Sequence, residues 1–246
     1  MTLYLNAAGY ATDKSELYLK NYQEHFSSLV DKDMKLLELG IHKGGSLLLW
    51  RDYFKKGKIV GLDPDKITLE DSSGRIIMYQ GLQQDCGLLD RIRQETAQDG
   101  FDIIIDDASH IGSLTRISFW HLFEHHLKPG GIYVIEDWRT GYWDAFIDGK
   151  QYRSRSAVYT FCKRIFEKFT LSKPQYPSHH YGLVGVVKEL VDELGMDMIT
   201  NPKRNGLKPQ RFSKFKKMLI TPGQIFITKA TQTDYDLMVK QSSGIV

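Results

Sequence analysis

The chain has 246 residues, 41% of them apolar and 26% charged, with a net charge of +3. That balance is ordinary for a globular protein and excludes collagen, coiled coil and intrinsic disorder. A chain of this size buries about 70–75% of its unfolded surface and can build a core without staples. The charge is too small to demand nucleic acid or a membrane surface, and no apolar run approaches the length of a membrane span. Met1 to Asn6 shows no basic segment followed by an apolar one, so no signal peptide is visible. Cys86 and Cys162, the two cysteines, lack CxxC spacing and make neither a zinc site nor a disulfide framework. A reducing cytoplasm is the expected location.

In chain order, Asp13 with Glu16 reads as a capping box that opens a helix with Tyr18, Tyr22, Phe26 and Leu29 on one face. From Lys35 short apolar runs alternate with helical ones. Strands are expected at 35–39, 58–62, 75–79, 101–106 and 131–136. Helices are expected at about 45–54, 86–98 and 112–127, the last ended by Lys128-Pro129-Gly130-Gly131. The strands are continuously apolar, as a parallel sheet covered on both faces requires. This alternation predicts an α/β fold, a Rossmann-like doubly wound sheet with helices on both faces. Beyond Trp138 an aromatic loop, helices near 154–170 and 182–195, a basic stretch at 203–217 and a strand pair at 211–219 and 224–229 are expected. The organisation expected is an N-terminal helical segment or lid over 1–34 and one domain over 35–230, with 138–180 on the substrate side. Residues 231–246 read as a polar tail.

In open α/β sheets ligands sit beyond the carboxyl ends of the strands. The first strand leaves through Glu38-Leu39-Gly40-Ile41-His42-Lys43-Gly44-Gly45-Ser46. This loop is neither GxGxxG nor GxxxxGK[ST], so it suits a ligand without a pyrophosphate. Gly40 and Gly44 let a ligand approach the backbone, and Ser46 belongs to the same loop. Glu38 can meet a cationic group, Asp63 can accept both hydroxyls of a ribose, and Asp85 can accept from an adenine amino group. Together they fit S-adenosylmethionine; taken singly, each acid reads better as a helix cap or a solvated charge.

A second cluster follows. The fourth strand ends Asp106-Asp107-Ala108-Ser109-His110 and the fifth Glu136-Asp137-Trp138. Neighbouring strands lie about 4.8 Å apart, so four acids meet, and a divalent cation relieves their repulsion. Oxygen ligands favour Mg²⁺, with Mn²⁺ or Ca²⁺ as substitutes. Asp107, Glu136 and Asp137 are the expected ligands, and His110 the expected general base. The plainer alternative makes Ser109 and His110 a helix cap. Trp138, Tyr142 and Trp143 could wall a substrate pocket or pack the following loop.

Glu38 to Gly45, Gly61-Leu62-Asp63, Asp106 to His110 and Lys128 to Asp137 resemble class I S-adenosylmethionine-dependent methyltransferases. The branch they resemble is the metal-dependent macrolide sugar O-methyltransferases. Gly44-Gly45-Ser46-Leu47 with Trp50, Thr12-Asp13-Lys14 and the stretch Trp138 to Trp143 share the likeness, which covers about residues 10–145. The resemblance implies a seven-stranded sheet with its last strand antiparallel, a Mg²⁺ ion and a homo-oligomer. It places Asp106 on the cofactor side, Asp107, Glu136 and Asp137 on the metal, and His110 as base. Thr12-Asp13-Lys14 would lie near the cofactor or a lid. The run Gln80 to Asp85 departs from the pattern at Leu82. The activity expected is O-methylation of a hydroxyl on a sugar or other diol-bearing group of a natural product. A catechol or phenol methyltransferase, an RNA methyltransferase using the basic stretch, and a non-catalytic S-adenosylmethionine-binding module are the competitors.

Overall fold

The computed structural model describes residues 5–151, 180–201 and 210–243. Seven strands form one sheet: β1 (Lys35–Leu39), β2 (Lys58–Asp63), β3 (Ile76–Gln80), β4 (Phe101–Asp106), β5 (Leu127–Glu136), β6 (Phe215–Ile220) and β7 (Gln224–Lys229). Their spatial order is β3-β2-β1-β4-β5-β7-β6. β3 through β5 pair in parallel, and β7 runs antiparallel between β5 and β6. The doubly wound, seven-stranded expectation is borne out. The order reverses between β1 and β4, and that switch point opens a crevice beyond their carboxyl ends.

Two apolar layers cover the sheet, and strand alternation decides which residue enters which. Leu36, Ile103, Ile105 and Val134 face the layer of α1 (Glu16–Phe26) and α2 (Gly45–Tyr53), among Tyr22, Phe26, Trp50 and Phe54. Leu37, Leu39, Ile104, Tyr133 and Ile135 face α3 (Cys86–Thr96), α4 (Gly112–His125) and α5 (Gly182–Leu194). Burial on both faces explains the unbroken apolar runs. Each large side chain withdrawn from water contributes roughly 1.5–3 kcal/mol. Glu38 and Glu136, in phase with Leu36 and Val134, enter the first layer; Asp106, in phase with Ile104, enters the second.

Three local expectations are corrected. The first helix begins at Glu16, because Ser15 accepts the Tyr18 N–H and is the N-cap; Asp13 is free to face the crevice. β5 begins at Leu127, which pairs with Phe101 ahead of a register shift. Pro129 and Gly130 therefore lie in an irregular strand start, with Gly130 at φ 78°. Residues 232–243, expected as a polar tail, form a helix. Its signal is Thr231-Gln232-Thr233-Asp234, in which Thr231 N–H donates to Asp234 and Asp234 N–H donates back to the Thr231 hydroxyl.

In the basic stretch, Arg211, Lys214 and Lys216 pair with Glu193, Glu124 and Asp234. Lys203, Arg204 and Lys208, Cys162 and the helix expected at 154–170 lie outside the described residues. No described helix is long and apolar enough to cross a membrane.

Candidate active site

A cavity of about 360 Å³ lies at the switch point. Gly40 and His42 follow β1, Asp63 to Asp65 follow β2 and Leu82 to Gln84 follow β3. Asp107 to His110 follow β4, Asp137 follows β5, and Asp13 and Leu114 complete the wall. A larger hollow of about 950 Å³ runs along the outside of α1 past Leu5, Leu17 and Glu24, away from the strand exits.

The backbone here is bent to serve side chains. His42, His110 and Asp137 are non-glycine residues with φ near +50°, and all three stand at strand exits around the cavity. Such conformations persist only where surroundings over-determine them, and they cluster at functional sites. At Asp137 the left-handed turn breaks strand alternation. Glu136 stays beneath the sheet end, while Asp137 faces the cavity.

Asp107, His110 and Asp137 bring one ligand atom each within 4.8 Å of one another. His110 Nε2 stands 3.8 Å from Asp107 Oδ1 and 4.0 Å from Asp137 Oδ2, beyond hydrogen-bond reach. Room is left between base and acids for a ligand atom. Tyr18 donates its hydroxyl to Asp137 Oδ1, leaving Oδ2 on the His110 side. Phe146 packs edge-on to the His110 ring, centroids 5.9 Å apart.

Beneath this group lies Lys14, of the Thr12-Asp13-Lys14 run expected near the cofactor or a lid. Its fully buried ammonium reaches Glu136 Oε1 at 2.8 Å, Asp107 Oδ2 at 3.0 Å and Glu38 Oε1 at 3.1 Å. Burial works against its charge, but Asp107, Glu136 and Glu38 hold it protonated far above the ordinary lysine range. Tyr22 donates a second hydrogen bond to Glu136 Oε1. Burial, then repulsion from Asp107, pushes the Glu136 carboxyl up, against Lys14.

The expected metal trio is therefore split. Asp107 and Asp137 converge with His110, whereas Glu136 is tied to Lys14 and Tyr22 below. Glu38, Asp107 and Glu136 share one ammonium, and Asp137 stands beside His110 without reaching it, so carboxylates outnumber the cation. Oxygen donors with excess negative charge fit a hard dication.

The expected cofactor residues also divide. Gly40 and Asp63 line the cavity. Asp63 Oδ2 accepts from Ile41 N and His42 N, both at 2.9 Å, and Oδ1 from Asp65 N at 2.9 Å. It shapes the β1 loop first and keeps spare acceptor capacity on Oδ1. Glu38 is wholly buried; its Oε2 takes Ser46 Oγ at 2.7 Å and Trp50 Nε1 at 3.2 Å. Burial raises its pKa, against Lys14. Glu38 and Ser46 thus support the wall from behind. Gly44 is the N-cap of α2 at φ 78°, and Asp85 caps α3 through Leu88 N; neither lines the cavity.

Gly40 serves the protein backbone. A Cβ there would stand 2.2 Å from the Asp107 carbonyl oxygen, so β1 and β4 exits can touch only at glycine. Asp106 turns away from the cavity, correcting the expectation that both neighbouring acids aim at the crevice. It accepts from Ser118 Oγ at 3.1 Å, Tyr133 OH at 3.1 Å and Gln83 Nε2 at 3.2 Å. Burial pushes its pKa up to about 6 despite these donors. Gln83 ties Asp106 to the loop that carries His110, since its Oε1 accepts the Ser109 N–H at 3.0 Å.

His110 is not a cap for α4. Asp148 does that work, accepting Gly112 N at 2.8 Å and Leu183 N at 2.7 Å, and so joins the starts of α4 and α5. Trp138 donates its indole N–H to the Thr221 carbonyl at 2.9 Å and packs on the core, which matches the packing alternative. Tyr142 and Trp143 are exposed beside it, Trp143 at 56%.

No protein-family model matches the chain. It is 42% identical over 137 residues to the mycinamicin VI 2''-O-methyltransferase of Micromonospora griseorubida, covering 52% of this chain and 33% of that protein. It is 41% identical over 137 residues to the demethylmacrocin O-methyltransferase of Streptomyces fradiae, with the same shares. The chain thus spans about a third of the length of these curated relatives. Among solved structures, the MycE methyltransferase of the mycinamycin biosynthetic pathway, in complex with Mg and SAH, superposes with a TM-score of 0.71. That match has 28% identity and covers 94% of this chain and 55% of that one. In sequence and in architecture the chain is similar to the macrolide sugar O-methyltransferases, and its fold is that of the class I S-adenosylmethionine-dependent methyltransferases.

Proposed function

We propose that the protein is an S-adenosylmethionine- and Mg²⁺-dependent O-methyltransferase acting on a hydroxyl of a sugar or other diol-bearing group of a natural product. The observation that carries the reading is the convergence of Asp107, His110 and Asp137 in one cavity at the switch point. Relatives named for a rhamnosyl tetracenomycin and for L-olivosyl-oleandolide favour a glycoside over a catechol. Gly40 and Asp63 would hold the nucleoside side of the cofactor, with Leu82 to Gln84 beside its base. Asp107 and Asp137 would hold the cation, and Glu136 would stand behind them, fixed by Lys14 and Tyr22.

When bound, the two groups supply an electrophilic methyl carbon and a Lewis acid that makes a neighbouring hydroxyl more acidic. The protein's part is positioning and proton transfer. His110 Nε2, unattached to either acid, accepts the proton of the reacting hydroxyl. Tyr18 and Lys14 hold the carboxylates so that their geometry does not have to be reorganised during reaction. Phe146 and Trp143, whose ring centroids are 6.0 Å apart, offer an apolar wall next to His110. That apolar wall would keep water away from the reacting hydroxyl. A homo-oligomer and a place in antibiotic biosynthesis belong to the same reading; gel filtration with light scattering tests the first.

The test is methyl transfer to a glycosylated macrolide, followed as release of S-adenosylhomocysteine. Turnover should vanish in EDTA and return with Mg²⁺, and His110→Ala should lose about 10²–10⁴-fold in kcat. Undiminished turnover in EDTA would remove the metal from the reading. Turnover of catechols alone would move the acceptor to phenols.

A further inference from the structure

At the opposite rim of the sheet, three metal-ligating side chains meet that the methyl-transfer reading does not use. We propose that Asp90, His121 and His126 form a second metal site, which takes a divalent transition ion of the zinc type and clamps α3 to α4. β4 separates the two sites: Asp107 follows its carboxyl end, whereas His126 accepts the Phe101 N–H at its start. Six residues of strand put those ends about 17 Å apart.

The geometry is that of ligands gathered around one point. His121 Nε2 and His126 Nε2 both lie 2.8 Å from Asp90 Oδ1, and 3.1 Å from each other. With Asp90 ionised, no placement of protons makes all three edges attractive. If both nitrogens donate to the carboxylate, two N–H groups crowd each other. If one nitrogen accepts from the other, its lone pair faces the carboxylate oxygen. A cation at the centre turns all three lone pairs inward and satisfies every edge. The spacings fall short of the ~3.3 Å kept by ligands 2.0–2.1 Å from a tetrahedral ion by about 0.2–0.5 Å, so a small outward shift of the side chains would seat one.

The donor set decides the ion. Two imidazoles and one carboxylate suit zinc, nickel or copper and are poor ligands for Mg²⁺, so the site discriminates against the ion expected in the cavity. It is also prepared. His126 is 4% exposed, its N–H bonds to the Leu122 carbonyl, and its own carbonyl is held by β4, which fixes one ligand. Asp90 projects from α3 with its side chain 49% exposed, leaving the fourth position open to water. α3 follows directly on the Leu82 to Gln84 wall of the cavity. The clamp would therefore steady one side of that wall.

The experiment uses tag-free full chain stripped with EDTA and returned to excess Mg²⁺, then titrated with Zn²⁺ by calorimetry and with Co²⁺ by visible absorption. The wild type should bind one Zn²⁺ that Mg²⁺ does not displace, show tetrahedral Co²⁺ bands, and gain several degrees in Tm. Asp90→Asn and His121→Gln, both at partly exposed positions, should weaken Zn²⁺ at least about tenfold with the apo far-ultraviolet spectrum unchanged. His110→Ala, altered at the other site, should keep this ion. Absence of binding at about 100 µM Zn²⁺, or loss in His110→Ala with retention in His121→Gln, would overturn the proposal.

Discussion

The two faces of the sheet bury acids at the same rim by opposite means. On the α1–α2 face, Glu38 and Glu136 share the ammonium of Lys14, and Asp107 joins them from the cavity floor. On the α3–α4 face, Asp106 has only neutral donors, from Ser118, Tyr133 and Gln83. In the first group the Lys14 ammonium opposes the rise that burial imposes on Glu38 and Glu136. Neutral hydrogen bonds cannot fully repay desolvation, so Asp106 titrates late and serves as an anchor. One chain thus separates a cavity-facing from a structural carboxylate by placing them on the residue after β4 and on its last residue.

Removing the cation tests the first half most severely. Lys14→Met should leave three carboxylates facing one another out of water and destabilise the protein by about 3–5 kcal/mol in urea denaturation. A loss under about 1 kcal/mol would mean that the acids already hold protons and that Lys14 balances nothing. Millimolar Mg²⁺ should recover part of the loss, since an ion bound only by the folded state stabilises it.

The second half is read through pH. The Asp106 carboxyl rises from 3.8 to about 6 on folding, which corresponds to about 3 kcal/mol. A raised acid pKa means that the ionised form is penalised in the folded state. The penalty is complete above about pH 6 and disappears as pH falls towards the unfolded value near 4. Relative to Asp106→Asn, the wild type should therefore gain up to about 3 kcal/mol between pH 7 and pH 4. Parallel denaturation curves of the two proteins at several pH values measure it. A constant difference would show that Asp106 titrates normally.

What could be read in advance follows the same division. The strand runs, the switch point and the acids at strand exits were legible, because burial on both faces leaves unbroken apolar stretches that end where the sheet ends. The partners of those acids were not. Lys14 lies between a turn and a helix start, and its burial depends on β1, β4 and β5 converging 24 or more residues away. Asp106 and Asp107 look alike in sequence; only strand alternation, continued to the last paired residue, separates them. Asp148 carries no local sign of capping two helices, since both starts are brought to it by tertiary packing. The helix after Thr231 did carry a local sign, the reciprocal Thr231–Asp234 cap, under a composition that reads as polar tail.

Asp85 offers the finest distinction, between a cap at the rim and a ligand contact within it. It is exposed, outside the cavity wall, and its Oδ1 accepts the Leu88 N–H at 3.0 Å at the start of α3. Asp85→Ala should lower stability by about 1 kcal/mol, as loss of an N-cap does. Cofactor affinity, measured by calorimetry with S-adenosylhomocysteine, should change by less than about twofold, because a retained contact to a charged acceptor is worth about 1.5–3 kcal/mol and its loss would exceed tenfold. Asp85→Asn keeps the cap, since asparagine caps as well as aspartate. It should restore stability while leaving the affinity where alanine left it. If affinity instead falls more than about tenfold in alanine and stays low in asparagine, whose amide nitrogen donates where the second carboxylate oxygen accepts, that oxygen reaches the ligand, and the adenine contact expected from the sequence stands after all.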